Sequence, residues 1–269
     1  MQSPEFQKSS ETILGGTVTP NQLTKPPVKL KGCVYRRDGT KVRLSERLGG
    51  TMGDFVLTDN PEVIGTLACA DTLEGRGLYL GHYMGGHYGH FITETLSTFW
   101  IFEENPSEAF DYFLFHPFVF GVAIPTYVQF CLDRFGIPAD KIVFVGSGAL
   151  AFEELLVPER LFRLNHSADP RSRWTYQQIA QAARPPAIPS PRLYLSRRRF
   201  SRKNFERVVA NEVEIELEFQ HRGYRVLYPE TMTFEDQVGL YSRADQVAGI
   251  SGSGLHNSLF MKPEAEVVE

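Results

Sequence analysis

The chain has 269 residues of which 42% are apolar, enough for one large domain or two of ordinary size with a sizeable core, and this excludes disorder over most of its length. A formal net charge of −4 and a pI near 6.0 give no general attraction to nucleic acid or anionic membrane, so any basic cluster is local. Cys33, Cys69 and Cys131 are odd in number, far apart and at no metal-binding spacing, which predicts a reducing compartment without disulfides.

The N-terminus is polar and lacks the basic start and apolar centre of a signal peptide. The longest apolar stretch, 110–124, is broken by Asp111, His116 and Pro117 and is too short to span a bilayer. A cytoplasmic protein is expected, peripheral to the inner face of the membrane if it meets one. Residues 1–30 show little periodicity and are expected to be partly loose. From Lys31 to Leu80 the pattern predicts short strands and turns, with Arg37-Asp-Gly39 marking one hairpin and Gly75 and Gly77 a second.

His82, Gly85, Gly86, His87, Gly89 and His90 read as a loop rich in glycine and histidine that leads into a helix. On that helix Phe91, Thr95, Phe99 and Phe102 share one face, and His90, Glu94 and Ser97 the other. A histidine and a carboxylate four residues apart then point the same way. Three roles are open to these histidines: a structural one, a zinc site from His82, His87 and His90, or a general base with a pKa near neutrality. Beyond the helix, 111–116 and 141–145 read as buried strands, 127–135 as a helix between them, and 155–157 as a further short strand. The prolines at 185, 186, 189 and 191 predict a stiff linker over 185–191, between an N-terminal α/β domain over 1–184 and a C-terminal α/β domain over 192–269.

The C-terminal part is the most legible. Arg192–Ser196 is a short strand, and Arg197, Arg198, Arg199, Arg202, Lys203 and Arg207 place a block of positive charge beyond its carboxyl end. Phe205, Val209, Val213 and Leu217, spaced by four, predict one face of a helix with Gly223 as C-cap. The alternation over 214–219 leaves a strand as the competing reading. Tyr224–Tyr228 reads as a strand, Thr233 as an N-cap, Phe234, Val238 and Tyr241 as a buried helix face, and Gln246–Ile250 as a third strand. Strands alternating with helices predict a parallel sheet. Ser251-Gly-Ser-Gly254 then turns into a last helix, and backbone N–H groups at such a turn favour an anion. Ligands of open α/β sheets sit beyond the strand carboxyl ends, so the arginines and the Ser-Gly turn are candidates for one phosphate-bearing ligand.

These residues resemble glycosyltransferase family 61, whose bacterial members are often labelled capsular polysaccharide biosynthesis proteins. The likeness lies in Tyr194-Leu-Ser-Arg-Arg198, Asn211-Glu-Val-Glu214, Gly223-Tyr-Arg-Val226, Pro229-Glu230, Phe234-Glu-Asp-Gln237, Ala244, Gly249 through Asn257 and Phe260-Met261, with Gly89-His-Phe-Ile-Thr-Glu94 extending it upstream. One departure is Ser251-Gly-Ser-Gly-Leu255 where the family usually has His-Gly-Ala-Gly-Leu. The resemblance implies two Rossmann-like domains in the arrangement called GT-B, with the donor against the C-terminal one. It implies donor binding by Arg197, Arg198, Glu212, Gln237, Ser251, Gly252, Ser253, Gly254, Leu255 and Asn257, and catalysis by His90 and Glu94.

The activity so implied is inverting transfer of a sugar from a nucleotide donor, expected to be UDP-linked, to a glycan or polysaccharide. No cofactor or metal is expected, since the chain holds no Asp-x-Asp pair and arginines can take the metal's place on the diphosphate. A non-catalytic binder of nucleotide or anionic glycan is the alternative. A serine hydrolase fits poorly, because Gly249-Ile-Ser-Gly-Ser253 lacks the last glycine of a nucleophile elbow and only His256 follows. RNA binding is disfavoured because only Phe200 and Phe205 interleave the basic run. The chain ends at Val267-Val268-Glu269 as an apolar strand begins, so the C-terminal domain is expected to be incomplete.

Overall fold

The computed structural model describes residues 9–20, 22–23, 29–30, 32–46, 69–83, 86–117, 123–146, 148–163, 167–187, 190–199 and 209–269. Gly85, Pro189, Arg202, Lys203 and Arg207, and the helix-face residue Phe205, lie outside the described residues. Two compact units emerge: Met1–Pro125 with Phe135–Thr175, and Thr126–Arg134 with Tyr176–Glu269. The second unit takes in the prolines around 185–191, and the division between units falls at Thr175/Tyr176.

The first unit is a six-stranded mixed sheet. Its strands are β1 (Ser10–Val18), β4 (Val34–Arg36), β5 (Cys69–Tyr83), β6 (Tyr112–Pro117), β7 (Ile142–Phe144) and β8 (Ala149–Pro158), in the order β4-β1-β8-β5-β6-β7. Small antiparallel pairs form from β2 (Gln22–Leu23) with β3 (Lys29–Leu30), and from β9 (Phe162–Arg163) with β10 (Ser167–Ala168). β5 pairs in parallel with β6 and β8, and β6 with β7, while β1 runs antiparallel to β8 and β4. The run Tyr112–Pro117 is buried throughout, as a strand covered on both faces must be. Tyr112 and Leu114 join Ile13, Tyr79, Phe152 and Leu155 in one core cluster, and Phe113 meets the Phe102 and Phe110 rings.

Three readings of this half change. Residues 10–18, expected to be loose, are a nine-residue strand that buries Ile13 and Val18 between β4 and β8. Gly75 and Gly77 do not end a hairpin but lie inside the 15-residue β5. Gly75 has a φ of +77° and sits where the register against β8 shifts, so it forms a bulge, and the bulge N–H groups are satisfied by carboxylates: Gly75 N donates to Glu153 Oε2 and Arg76 N to Asp111 Oδ2, both at 2.8 Å. At Gly77 the constraint is space, since a Cβ there would lie 2.0 Å from the Tyr112 ring. The strand at 155–157 is longer than expected, ten residues. The Arg37-Asp-Gly39 turn forms as predicted, with Gly39 at φ +81° and Arg36 N donating to Thr40 O at 2.8 Å.

The second unit carries a parallel sheet of β11 (Arg192–Leu195), β12 (Arg225–Leu227), β13 (Gln246–Gly249) and β14 (Glu266–Val268), in the order β12-β11-β13-β14. Its helices are α1 (Thr126–Arg134), α2 (Arg173–Ala182, from Tyr176 on in this unit), α3 (Glu212–His221) and α4 (Phe234–Tyr241), followed by a 3₁₀ helix at Leu255–Phe260. Thr233 caps α4 by accepting from Asp236 N, and Phe234, Val238 and Tyr241 are buried as the periodicity predicts. Gly223 ends α3 at φ +82°, with Tyr224 N returning to Phe219 O at 2.9 Å.

The start of α3 is a correction. The helix starts at Glu212, Val209 precedes it, and Val213 and Leu217 are each 50% exposed. The inward face carries Glu212 and Glu216, each 5% exposed, and Phe219, whose ring stacks on Tyr194 at 4.3 Å. The strand alternative for 214–219 is ruled out by the same helix.

Gly77→Ala should destabilise the protein by about 1–3 kcal/mol, the usual cost of overpacking, seen as a lower urea midpoint. Gly39→Asn, at a left-handed position with nothing within 4 Å of its Cβ, should stay within about 0.5 kcal/mol of wild type. Equal midpoints for the two variants would contradict this account of β5.

Candidate active site

In the first unit the chain leaves β5 for β6 on one side, and later returns from β7 to place β8 on the other side of β5. The gap above β5 and β8 is therefore a topological switch point, where open α/β sheets bind their ligands. β5 enters it through a second bulge at Gly81, φ +78°, where its register against β6 shifts between Tyr79 and His82. Bulges of this kind re-aim the following side chain. His82 is thus a strand residue, not part of the loop, and its buried ring stacks on His116 at the end of β6 with centroids 4.8 Å apart. Arg160, two residues beyond β8 and 9% exposed, brings Nη2 to 3.5 Å from His82 Nδ1.

The helical run from Tyr88 to Glu103 passes beside this gap. It starts as one α turn at Tyr88–His90, widens to a π turn over Phe91–Thr95 and tightens to 3₁₀ over Leu96–Glu103. Hydroxyls compete for its carbonyls: Thr93 Oγ1 donates to Gly89 O, Ser97 Oγ to Glu94 O and Thr98 Oγ1 to Thr95 O, at 2.8, 2.8 and 2.9 Å. Thr95 Oγ1 anchors the run to β5 by donating to His82 O at 2.8 Å. π turns are frequent at functional sites, and this one contains Glu94. The polar face expected for Glu94 and Ser97 is not open to solvent, because every side chain from Phe91 to Ile101 is buried.

His90 and Glu94 do meet, Nδ1 to Oε1. The Glu94 side chain is 4% exposed and that of His90 22%. The second carboxylate oxygen of Glu94 lies 4.0 Å from Arg160 Nη1. A buried carboxylate is costly unless charges or donors answer it, and these two neighbours do. With Nδ1–H donating to Glu94, the His90 lone pair is on Nε2, at the exposed end of the pair, an arrangement suited to taking up a proton. The His87 ring lies against that of His90, centroids 4.3 Å apart. His82, His87 and His90 do not form a zinc site, and among the described residues no group of three or more His, Cys, Asp or Glu is placed to hold a metal ion. Arg160 and His116 were not singled out in the sequence, because only the strand order brings them to His82 and Glu94.

The second unit repeats the topology. β12 lies on one side of β11 and β13 on the other, so the switch point is at the ends of β11 and β13. Those ends carry Ser196-Arg197-Arg198 and Ser251-Gly-Ser-Gly254, and a Cβ on Gly252 would lie 3.2 Å from Arg197 Nη1. Arg197 and the turn are therefore brought together, with Ser251 and Ser253 exposed. Glu212 Oε1 accepts from Arg197 N at 2.6 Å, and Glu216 Oε1 from Ser196 Oγ at 2.6 Å and Arg198 Nε at 3.1 Å. Arg198 Nη2 also donates to Tyr228 OH at 2.8 Å. Arg198 is thus turned toward Glu216 and Tyr228, two residues absent from the predicted site. Burial pushes the Tyr194 phenol up to about 12, and the carboxylates of Glu212 and Glu216 add to the effect. Gln237 and Asn257 are joined through Asn257 Nδ2 to Gln237 Oε1 at 3.0 Å, with Gln237 Nε2 donating to Pro229 O at 2.9 Å. Asn257 and Leu255 are buried, and Tyr241 OH donates to Gly254 O at 3.0 Å.

A family model described as Glycosyltransferase 61 matches residues 88–268, two thirds of the chain. The chain belongs to glycosyltransferase family 61. It is a glycosyltransferase, and a sugar donor and an acceptor are its substrates. The match begins beside the His90–Glu94 pair and runs through the Ser251–Gly254 turn, so both switch points of this family 61 enzyme contribute residues to it. No curated protein sequence matches the chain. Among the described residues no helix of the transferase is long and apolar enough to cross a membrane.

The inward carboxylates of α3 generate a test. Glu216→Ala strips Ser196 and Arg198 of their acceptor and should destabilise the second unit by about 1–3 kcal/mol. Leu217→Ala, on the exposed face, should stay within about 0.5 kcal/mol. Hydrogen exchange of the β11 and β12 amides reads both, and the opposite ranking would contradict the orientation of α3.

Proposed function

We propose that this enzyme transfers a sugar from a nucleotide donor to a glycan or polysaccharide hydroxyl in a single displacement that inverts the anomeric centre. The observation that carries the reading is the partly exposed His90 held through Nδ1 by the buried Glu94. In the reaction, His90 Nε2 removes the proton of the acceptor hydroxyl as its oxygen bonds to the anomeric carbon. Glu94 stabilises the imidazolium that forms. The bond from the anomeric carbon to the diphosphate breaks with its electron pair going to phosphate oxygen. Arg197 and the backbone N–H groups of the Ser251–Gly254 turn stabilise that charge.

The first unit is then the acceptor side and the second the donor side of a GT-B-type enzyme. Arg198 serves mainly to hold Tyr228 and Glu216 in place, and Glu212 to fix the Arg197 backbone. Gln237, Leu255 and Asn257 support the turn from behind. The transfer needs no metal, in keeping with the absence of an Asp-x-Asp pair from the sequence, and the donor is a UDP-sugar. The reaction takes place in the cytoplasm at the inner face of the membrane.

His90→Ala should lower turnover by about 10² to 10⁴, the contribution of a positioned base, and leave UDP affinity within about twofold. Glu94→Gln should cost less than His90→Ala, because the carboxylate orients and stabilises rather than accepts the proton. Wild-type turnover should persist in excess EDTA. A folded His90→Ala enzyme with wild-type turnover would remove the base, and loss of activity in EDTA with rescue by Mn²⁺ would overturn the metal-free mechanism.

A further inference from the structure

We propose that the concavity lined by Arg43, Arg160 and Arg163 binds an oxyanion carried by the acceptor, either the carboxylate of a sugar acid or a phosphate, beside the His90–Glu94 pair. The inference rests on the reading of that pair as the acceptor base.

The concavity lies between the 3₁₀ turn at Arg43–Ser45 and the segment that follows β8, with Glu46 and Glu159 also in its wall. It encloses about 310 Å³ with its mouth included.

The charges in the wall do not cancel. Glu46 is paired with Lys41, while Glu159 lies 3.5 Å from Arg163 Nη2 and accepts from Ser9 Oγ at 3.3 Å. Both carboxylates therefore already have cations or donors of their own. Arg43 is exposed and its guanidinium has no hydrogen bond or ion pair among the described residues. Arg160 Nη1 lies 4.0 Å from Glu94, which also meets His90. At 9% exposure Arg160 adds positive charge to this wall where burial lowers the local dielectric. Guanidinium forks fit planar carboxylates and phosphates through paired N–H groups, which fixes the chemical class.

Position gives the site its use. Arg160 faces Glu94 and His82 on one side and forms the wall of the concavity on the other, at the switch point of the sheet. An anion held against Arg160 is one side chain away from the base pair. The acceptor would be anchored by a charge close to the hydroxyl that reacts, so the concavity would select acidic acceptors over neutral ones.

Direct binding tests this without requiring transfer. A glucuronic-acid-terminated disaccharide, its glucose-terminated counterpart and glucose 1-phosphate are titrated calorimetrically into the full chain. At least one charged ligand should bind about tenfold or more tighter than the neutral disaccharide, and this preference should fall about tenfold in Arg43→Ala and partly return in Arg43→Lys. A preference for the glucuronide identifies a sugar acid, and one for the phosphate a phosphorylated acceptor. His90→Ala should retain the preference, so a failure of the base assignment would leave this result standing. Equal binding of charged and neutral ligands, or an unchanged preference in a folded Arg43→Ala protein, would overturn the proposal.

Discussion

A parallel strand can be laid on either side of its predecessor, and in both units of this protein the chain uses both sides of one strand. β5 has β6 on one flank and β8 on the other, and β11 has β12 and β13. Connections that diverge from one strand leave a gap above its carboxyl end, and nothing in the sheet itself fills that gap. That constraint brings together residues that are distant in sequence. His82, His116 and Arg160 end or follow β5, β6 and β8, and Arg197 and Ser251 follow β11 and β13. The Gly81 bulge and the π turn that holds Glu94 are local irregularities at the same place.

Both switch points rely on buried carboxylates. Glu94 faces His90 and Arg160, Glu212 takes the Arg197 amide, and Glu216 takes the Ser196 hydroxyl and the Arg198 guanidinium. A carboxylate that has left water needs answering donors, so each one fixes the geometry of its partners as strictly as they fix it. In the first unit this aims an imidazole nitrogen outward. In the second it shapes the chain around Arg197 and sets Arg198 against Tyr228. Family 61 membership supplies the reaction class, and in the mechanism we propose the two arrangements of charge serve it as a base and an anion site.

The legibility of the sequence followed the range of the interactions. The alternation of β11, α3, β12, α4 and β13, the Thr233 cap, the Gly223 stop and the His90–Glu94 contact are set within a few residues, and each was readable. Gly75 and Gly77 misled because a glycine marks a turn and a bulge alike, and only pairing with β8 and packing on Tyr112 decide between them. Val213 and Leu217 lie on the helix their spacing predicts, but spacing does not say which face is buried, and α3 turns two glutamates inward to satisfy the end of β11. β1 was missed because its two glycines and short apolar runs resemble a loose segment until β4 and β8 flank it. Arg160 and His116 carried no local signal, since they join the site through strand order alone, across 78 residues between His82 and Arg160.

The central claim is one displacement assisted by a base, and the stereochemistry of the product tests it most directly. With an α-linked nucleotide sugar as donor, ¹H NMR of the product under initial-rate conditions reads the new anomeric configuration from its coupling constant. Single displacement by an acceptor hydroxyl that loses its proton to His90 predicts a β-linked product. An α-linked product would contradict it, because retention requires a different path at the anomeric carbon and a different role for the His90–Glu94 pair.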